Sequence, residues 1–463
     1  MYIHDDFLLQ SDLAKTLYKA VKDLPIIDYH NHLSPREMYH NERFHDITEL
    51  WLKHDHYKWR LMRASGIDER FITGDTSNKD KFLMYAKALE HAYMNPLHHW
   101  SHMELKEYFN ITEVLTTENA ERIYEQANRY LEEHPTTPRS LLSQKKVEVL
   151  CTTDDLNDEL EYHRLLAEEE QSFQVLPTFR PDVLFRFQDD SFFDVIARLE
   201  NNTKITISGI TSLVQALSQR LDYFQSMGCT IADHGFTTLR YHHVSKDEAS
   251  SILKKRLMKY DLTQLEQDQL TIYLLRFFLI EYSRRNMVGQ LHLGALRNTN
   301  EKMFQSLGRD TGFDSLSDDD YIKDLNQLFS DIERYHELPK LIVYNLHPKD
   351  NEALASLCGN FTKDVPGKVQ LGAAWWFNDN MRGIQNQLKT YAEYLNLNTA
   401  VGMLTDSRSL LSFVRHDYYR RLLAQFLASN VEQGLIPKDR QVLFQLMKNI
   451  SYFNSKTFFS FSI

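Results

Sequence analysis

The 463-residue chain has only three cysteines, Cys151, Cys229 and Cys358, widely spaced and odd in number, and no Cys-x-x-Cys pair. That pattern excludes a disulfide framework. No run of about 18 apolar residues occurs, because the most apolar stretch, Leu274 to Ile280, is broken by Arg276, so no membrane-spanning helix is expected. Basic blocks are missing too, and the formal charge of −11 argues against nucleic-acid binding. The segment from Met1 to Ser11 is polar and acidic, without the positive and apolar regions of a signal peptide. A soluble cytoplasmic protein is therefore expected. No Gly-x-Gly-x-x-Gly turn follows any apolar run, which weighs against a dinucleotide-binding open sheet. Internal repeats and low-complexity segments are also lacking.

What is present is enough hydrophobic residue, 42%, for a sizeable core, arranged as short apolar runs between helical stripes. Eight such runs read as strands, at Ile26–Tyr29, Val147–Thr152, Val175–Phe179, Cys229–Ala232, Gln290–Gly294, Leu341–Leu346, Val369–Ala374 and Ala400–Thr405. Stripes such as Ile210, Leu213, Val214, Leu217, Leu221 and Phe224 separate them, and Asp158 to Gln171 also reads as a helix. Parallel strands need crossover helices, so eight units of this kind predict an α/β fold, a (β/α)8 TIM-type barrel. From residue 36 to 146 no convincing strand appears, while Ile47–Leu61 and Lys81–Ala92 look helical. The expected organisation is a barrel of residues 1–35 and 147–463, with a helical insertion, 36–146, packed on it as a cap.

Polar residues close each expected strand. They include His30 and His32, Asp154 and Asp155, Arg180, Asp233 and His234, His292 and Arg297, Trp376 and Asn378, and Asp406 and Arg408. In a barrel these ends converge on one mouth. Asp154 and Asp155 have a plainer reading as caps of the following helix. A His-x-His pair alone says little: with 20 histidines about one is expected by chance, and His54 and His56 form another. Position adds weight, because the last strand of a barrel lies beside the first and brings Asp406 to His30 and His32. Two imidazoles and a carboxylate suit a divalent metal and leave coordination positions open. An Asp406–Arg408 ion pair is the alternative for that carboxylate. His292 fits either a reach toward metal or substrate, or a satisfied core histidine.

The chain resembles the uronate (glucuronate) isomerases, a branch of the amidohydrolase superfamily, in segments spread over nearly its whole length. These are Asp28-Tyr29-His30-Asn31-His32-Leu33-Ser34-Pro35, Asp55-His56-Tyr57-Lys58-Trp59-Arg60, Cys151-Thr152-Thr153-Asp154-Asp155, and Phe179-Arg180-Pro181-Asp182. They continue with Asp233-His234-Gly235, Gln290-Leu291-His292-Leu293-Gly294-Ala295, the run from Gln370 to Asp379 through Trp375-Trp376-Phe377, and Gly402-Met403-Leu404-Thr405-Asp406-Ser407-Arg408-Ser409. Asn31 stands where the family often has Cys, and His347 where Asn is expected. The resemblance implies interconversion of D-glucuronate with D-fructuronate and of D-galacturonate with D-tagaturonate. It also implies one divalent metal on His30, His32 and Asp406.

Aldose–ketose isomerisation needs a base for the C2 proton, stabilisation of the enediol oxygens, and return of the proton to C1. Asp406 is the first candidate proton carrier and Tyr57 the second, with His56 beside it and Arg408 following the last strand. A uronate carboxylate calls for an arginine fork. Arg180 and Arg408 are the first choices, Arg297 is a third, and Arg415 reads better as a structural ion pair. His292 and Trp376 complete the expected substrate-binding set. The donor set suits zinc first, with manganese or ferrous iron as alternatives. A homo-oligomer is expected. Two rivals are a metal-dependent hydrolase of the same superfamily and a non-catalytic sugar-acid-binding barrel.

Overall fold

The structure is a computed structural model that describes residues 2–169 and 171–463; Met1 and Glu170, the latter within the helix expected from Asp158 to Gln171, lie outside the described residues. That helix spans only Glu161–Ala167. Its N-cap residue is Leu160, in a left-handed conformation, so neither Asp154 nor Asp155 caps it. Asp154 instead accepts a hydrogen bond from the backbone N–H of Thr178, and Asp155 one from that of Asn157.

The parallel strands follow one another around the barrel in chain order. They are β1 (Ile26–Asp28), β2 (Val147–Cys151), β3 (Gln174–Leu176 and, past Pro177, Thr178–Arg180), β4 (Ile231–Phe236), β5 (Val288–Leu293), β6 (Lys340–Asn345) and β7 (Val369–Leu371). Register is explicit at each step, with Ile27 beside Val149, Leu150 beside Val175, Phe179 beside Ala232, Ile231 beside Val288, Leu341 beside Gly289, and Leu341 beside Val369. Pro177 has no N–H to give to a ladder, which accounts for the break in β3. The eighth expected strand, Ala400–Thr405, takes its place without a regular ladder. It closes the ring onto the chain after β1, where the Asp406 N–H donates to His30 O at 3.1 Å and the His32 N–H donates to Ser407 O at 2.9 Å.

Alternation along the strands divides the side chains into two sets. One set fills the barrel and includes Ile27, Val149, Ile231, Val288, Ile342 and Val401. Phe458, Phe459 and Phe461 of the C-terminal turn join this cluster, and Lys340 at the start of β6 donates to Phe458 O, so the tail seals the end where the strands begin. The other set faces the surrounding helices. His234 shows the split: Asp233 points inward, while His234 Nε2 meets the Tyr282 hydroxyl on helix Gln264–Arg284 at 2.8 Å. Gly372, just past β7, lies against the ring of Tyr344; a Cβ there would sit 2.1 Å from Tyr344 Cδ1. The missing side chain lets that ring lie flat against His292, 4.3 Å between centroids.

Among the described residues, the chain between β1 and β2 carries helices and no strand, from Pro35–His40 to Pro138–Gln144. The expected helix Ile47–Leu61 is two, Ile47–Leu52 and His56–Ala64, because Asp55 caps the second by accepting from the N–H groups of Tyr57 and Lys58. These helices share one apolar core with the layer outside the barrel, including Trp51, Phe82 and Tyr85. Helix Pro96–Phe109 carries His99 and His102, both pushed down to about 4 by burial. The His102 ring accepts from the Leu115 N–H through Nε2 and faces His98 O through Nδ1, an arrangement only the neutral ring satisfies. A folded-state value below the ordinary 6.5 gives stability that is fully present above pH 6.5 and is lost as pH falls toward 4. Thermal midpoints measured from pH 7.5 to 5 are thus expected to fall with pH, and less steeply in His102→Gln.

Candidate active site

At the C-terminal ends of the strands lies a cavity of about 640 Å³. His30, His32, Arg180, His292, Arg297, Trp376, Asp406 and Arg408 all line it, as do His56 and Tyr57 from the start of helix His56–Ala64. Asp154 and Asp155 reach its wall, whereas Asn378 is spent on the backbone, donating to Leu346 O.

Its centre is the Asp406 carboxylate. Oδ1 lies 3.0 Å from His32 Nε2 and 3.3 Å from His30 Nε2. Oδ2 accepts from the Tyr57 hydroxyl at 3.2 Å and from the Trp375 indole N–H at 2.9 Å. Asp406 has φ +46°, a left-handed backbone unusual for a residue with a side chain, and this turns the carboxylate toward both imidazoles.

The tautomer of His32 shows what the imidazoles await. Thr153 Oγ1 gives its single hydrogen to Asn31 O and lies 2.7 Å from His32 Nδ1, so Nδ1 donates and Nε2 carries the lone pair. Burial pushes His32 down to about 4, which leaves the ring neutral at pH 7. A lone pair then faces a carboxylate oxygen at 3.0 Å, a repulsive contact unless a cation lies between them. Ligand atoms around a tetrahedral ion with bonds of 2.0–2.1 Å stand roughly 3.3 Å apart, close to what is seen. His30, His32 and Asp406 form a group able to hold a metal ion, and the donors fit a divalent cation.

Deeper in the barrel, Asp233 was visible in the sequence as a strand-end acid but without a role. Its Oδ1 accepts from His292 Nδ1 at 2.6 Å, Arg180 Nη1 lies 3.0 Å from its Oδ2, and His30 Nδ1 lies 3.9 Å from that same oxygen. Burial would raise the Asp233 carboxyl, yet the surrounding Arg180, His292 and His30 hold it far below the ordinary range. Arg180 also donates through Nε to Asp182 at 2.8 Å, so two carboxylates already engage it. The other guanidiniums are less committed. Arg297 lies over the Trp376 ring at 4.5 Å, and Arg408 meets only Asp310, at 3.7 Å, among the described carboxylates. Arg415 makes a buried pair with Asp379 and stacks on Trp100, the structural role its sequence position favoured.

Thr153, Trp375 and Asp310 are the neighbours that sequence reading missed. Thr153 and Trp375 sit inside quoted motifs. Asp310 lies on the excursion after β5, pinned by Arg60 of helix His56–Ala64 donating to Gly312 O and Asp314 O, and no local pattern marks it.

A sequence profile described as glucuronate isomerase matches residues 1–459. The chain belongs to this family. A uronate isomerase of Caldanaerobacter subterraneus subsp. tengcongensis is 44% identical over 460 residues, covering 99% of both chains. The solved uronate isomerase of Thermotoga maritima superposes with a TM-score of 0.94 at 34% identity, covering 99% of this chain and 100% of the other. That of the glucuronate isomerase of Caulobacter crescentus gives 0.92 at 26% identity, over 100% of this chain and 97% of the other. Family membership makes the chain an isomerase and disfavours both the hydrolase and the non-catalytic binder. Among the described residues no helix is long and apolar enough to cross a membrane.

Proposed function

We propose that this uronate isomerase interconverts D-glucuronate with D-fructuronate, and D-galacturonate with D-tagaturonate, by moving a proton between C2 and C1 on Asp406. The observation that carries the reading is the division of labour on that carboxylate. One oxygen lies within 3.3 Å of two imidazole nitrogens, and the other accepts from a phenol O–H and an indole N–H.

His30 Nε2, His32 Nε2 and Asp406 Oδ1 would hold a divalent cation, zinc first, with manganese or ferrous iron fitting the same donors. When bound, it supplies Lewis acidity toward the carbonyl. Asp406 Oδ2 is the base that takes the C2 proton and returns it to C1, while the O2 hydroxyl proton passes to O1, so the ketose forms with no net gain or loss of protons. The Tyr57 hydroxyl, raised well above its ordinary pKa by burial and then by Asp406, stays protonated and donates to the oxygen that gains charge. His56 lies beside Tyr57 and edge-on to Trp376, 5.6 Å between centroids, and helps to enclose the sugar. His292 donates through Nδ1 to Asp233, which leaves Nε2 without a protein partner and ready to accept from a sugar hydroxyl. Arg408 and Arg297 bind the uronate carboxylate, and Arg180, neutralised by Asp182 and Asp233, braces the polar wall. In this reading residues 36–146 are a cap that carries Tyr57 and His56 to the barrel mouth. A cytoplasmic homo-oligomer completes the proposal, its size to be measured by light scattering.

Purified protein incubated with either uronate is expected to yield the matching ketose; no ketose with any of the three metals would remove the proposal. Tyr57→Phe is expected to lower kcat on the order of 10²-fold with little change in KM, since the hydroxyl acts on developing charge. A normal kcat would exclude that role.

A further inference from the structure

The eighth barrel segment presents Asp406, yet it has no regular ladder on either side. Side chains hold it instead. Gln370 Oε1 accepts from the Val401 N–H at 3.2 Å, the Tyr29 hydroxyl donates to Gly402 O at 2.8 Å, and Ser455 donates to Val401 O at 2.6 Å. Next to Asp406 the work falls to Asp28, the last residue of β1 and completely buried. Its Oδ1 accepts from the Thr405 N–H at 2.7 Å, and its Oδ2 accepts from the Thr405 hydroxyl at 2.6 Å. Asn31 Nδ2 donates to Oδ2 at 3.3 Å, and His416 Nε2, from helix Val414–Glu432, lies 3.5 Å from Oδ1.

We infer that Asp28 and Thr405 are positioning residues that set the cation affinity of His30, His32 and Asp406. The inference rests on the reading of those three as the cation-binding set. Asp28 stands two residues before His30 and Thr405 one before Asp406, so a single two-pronged contact ties both ligand-bearing segments together. The carboxyl group acts as a substitute backbone acceptor for the Thr405 N–H, and the hydroxyl fixes the rotation of that residue. With residue 405 pinned on both atoms and the Asp406 N–H bonded to His30 O, the left-handed turn at Asp406 has little freedom left. Without the pin, that unusual backbone can relax into an ordinary region and carry the carboxylate away from the imidazoles. Partners behind metal ligands typically change affinity by about 10–100-fold when removed.

The test is titration of metal-stripped, full-length protein with Zn(II) in competition with a chromophoric chelator, alongside the thermal midpoint of each metal-free variant. Thr405→Val keeps the backbone N–H and loses the hydroxyl; Thr405→Ser keeps both. Thr405→Val and Asp28→Asn are expected to weaken Zn(II) binding by about 10–100-fold, with Thr405→Ser near wild type. If Asp28→Asn does not fold, the Thr405 pair carries the comparison. Thr405→Val binding Zn(II) as tightly as wild type, whatever its thermal midpoint, would overturn the inference. Equal weakening in Thr405→Ser would overturn it too. His30→Ala serves as the reference: if it binds Zn(II) as tightly as wild type, the ligand set itself is wrong and the inference falls with it. If it binds more weakly while Thr405→Val does not, only the positioning role is lost.

Discussion

Asp406→Asn is expected to lower kcat/KM for D-glucuronate by a factor on the order of 10³ while leaving the fold intact, because it removes a general base without removing volume. The amide keeps the shape of the carboxylate but not its charge. Turned one way, its NH2 meets the Tyr57 hydroxyl and the Trp375 N–H, both donors at present. Turned the other way, the NH2 faces the two imidazole nitrogens in place of the carboxylate oxygen. Either orientation loses the negative charge that both halves of the site share. Steady-state kinetics with circular dichroism on the same sample check it, and a variant keeping more than a tenth of the wild-type rate would exclude Asp406 as proton carrier.

The second large effect belongs to His30. His30→Ala is expected to abolish stoichiometric metal binding and to cost activity by a factor on the order of 10³, the scale of Lewis-acid assistance worth several kcal/mol. The side chain is 1% exposed and its Nε2 lies 3.3 Å from Asp406, so alanine removes one of the three donors outright. Deletion also unburdens Asp233, which then faces only His292 and Arg180. Metal content by elemental analysis, and activity before and after chelation, are the measurements. Wild-type protein should lose activity on chelation and regain it with added metal, while His30→Ala should respond to neither. Full metal content in the variant would show that His30 is not a ligand.

Much of the barrel was readable because its strands are buried on both faces. Val288–Leu293 is buried at every position, and such runs stand out as short continuous apolar stretches. The segment between β1 and β2 was readable by the reverse signal, a long stretch with helical stripes and no strand. Boundaries were less so. The break of Ile47–Leu61 turns on one capping residue, Asp55, that periodicity does not weigh, and the expected Asp158–Gln171 helix starts late because Leu160 enters it in a left-handed conformation. The eighth segment was readable as a strand from its composition, but its hydrogen bonds go to side chains from β1, β7 and the C-terminal helices.

By itself the sequence determined which residues stand at the strand ends, and so which side chains were available: two imidazoles, a carboxylate and several guanidiniums. That information is local, carried by alternation and by the turn that ends each apolar run. Only the tertiary structure decided how they divide the work. Asp233 joins three residues from separate strands or their ends, Arg180 is neutralised by two acids, and Tyr57 arrives from helix His56–Ala64 to share Asp406 with Trp375. These contacts link positions up to 349 residues apart, and Coulomb energies and hydrogen bonds depend on distances of a few ångströms that no spacing along the chain encodes.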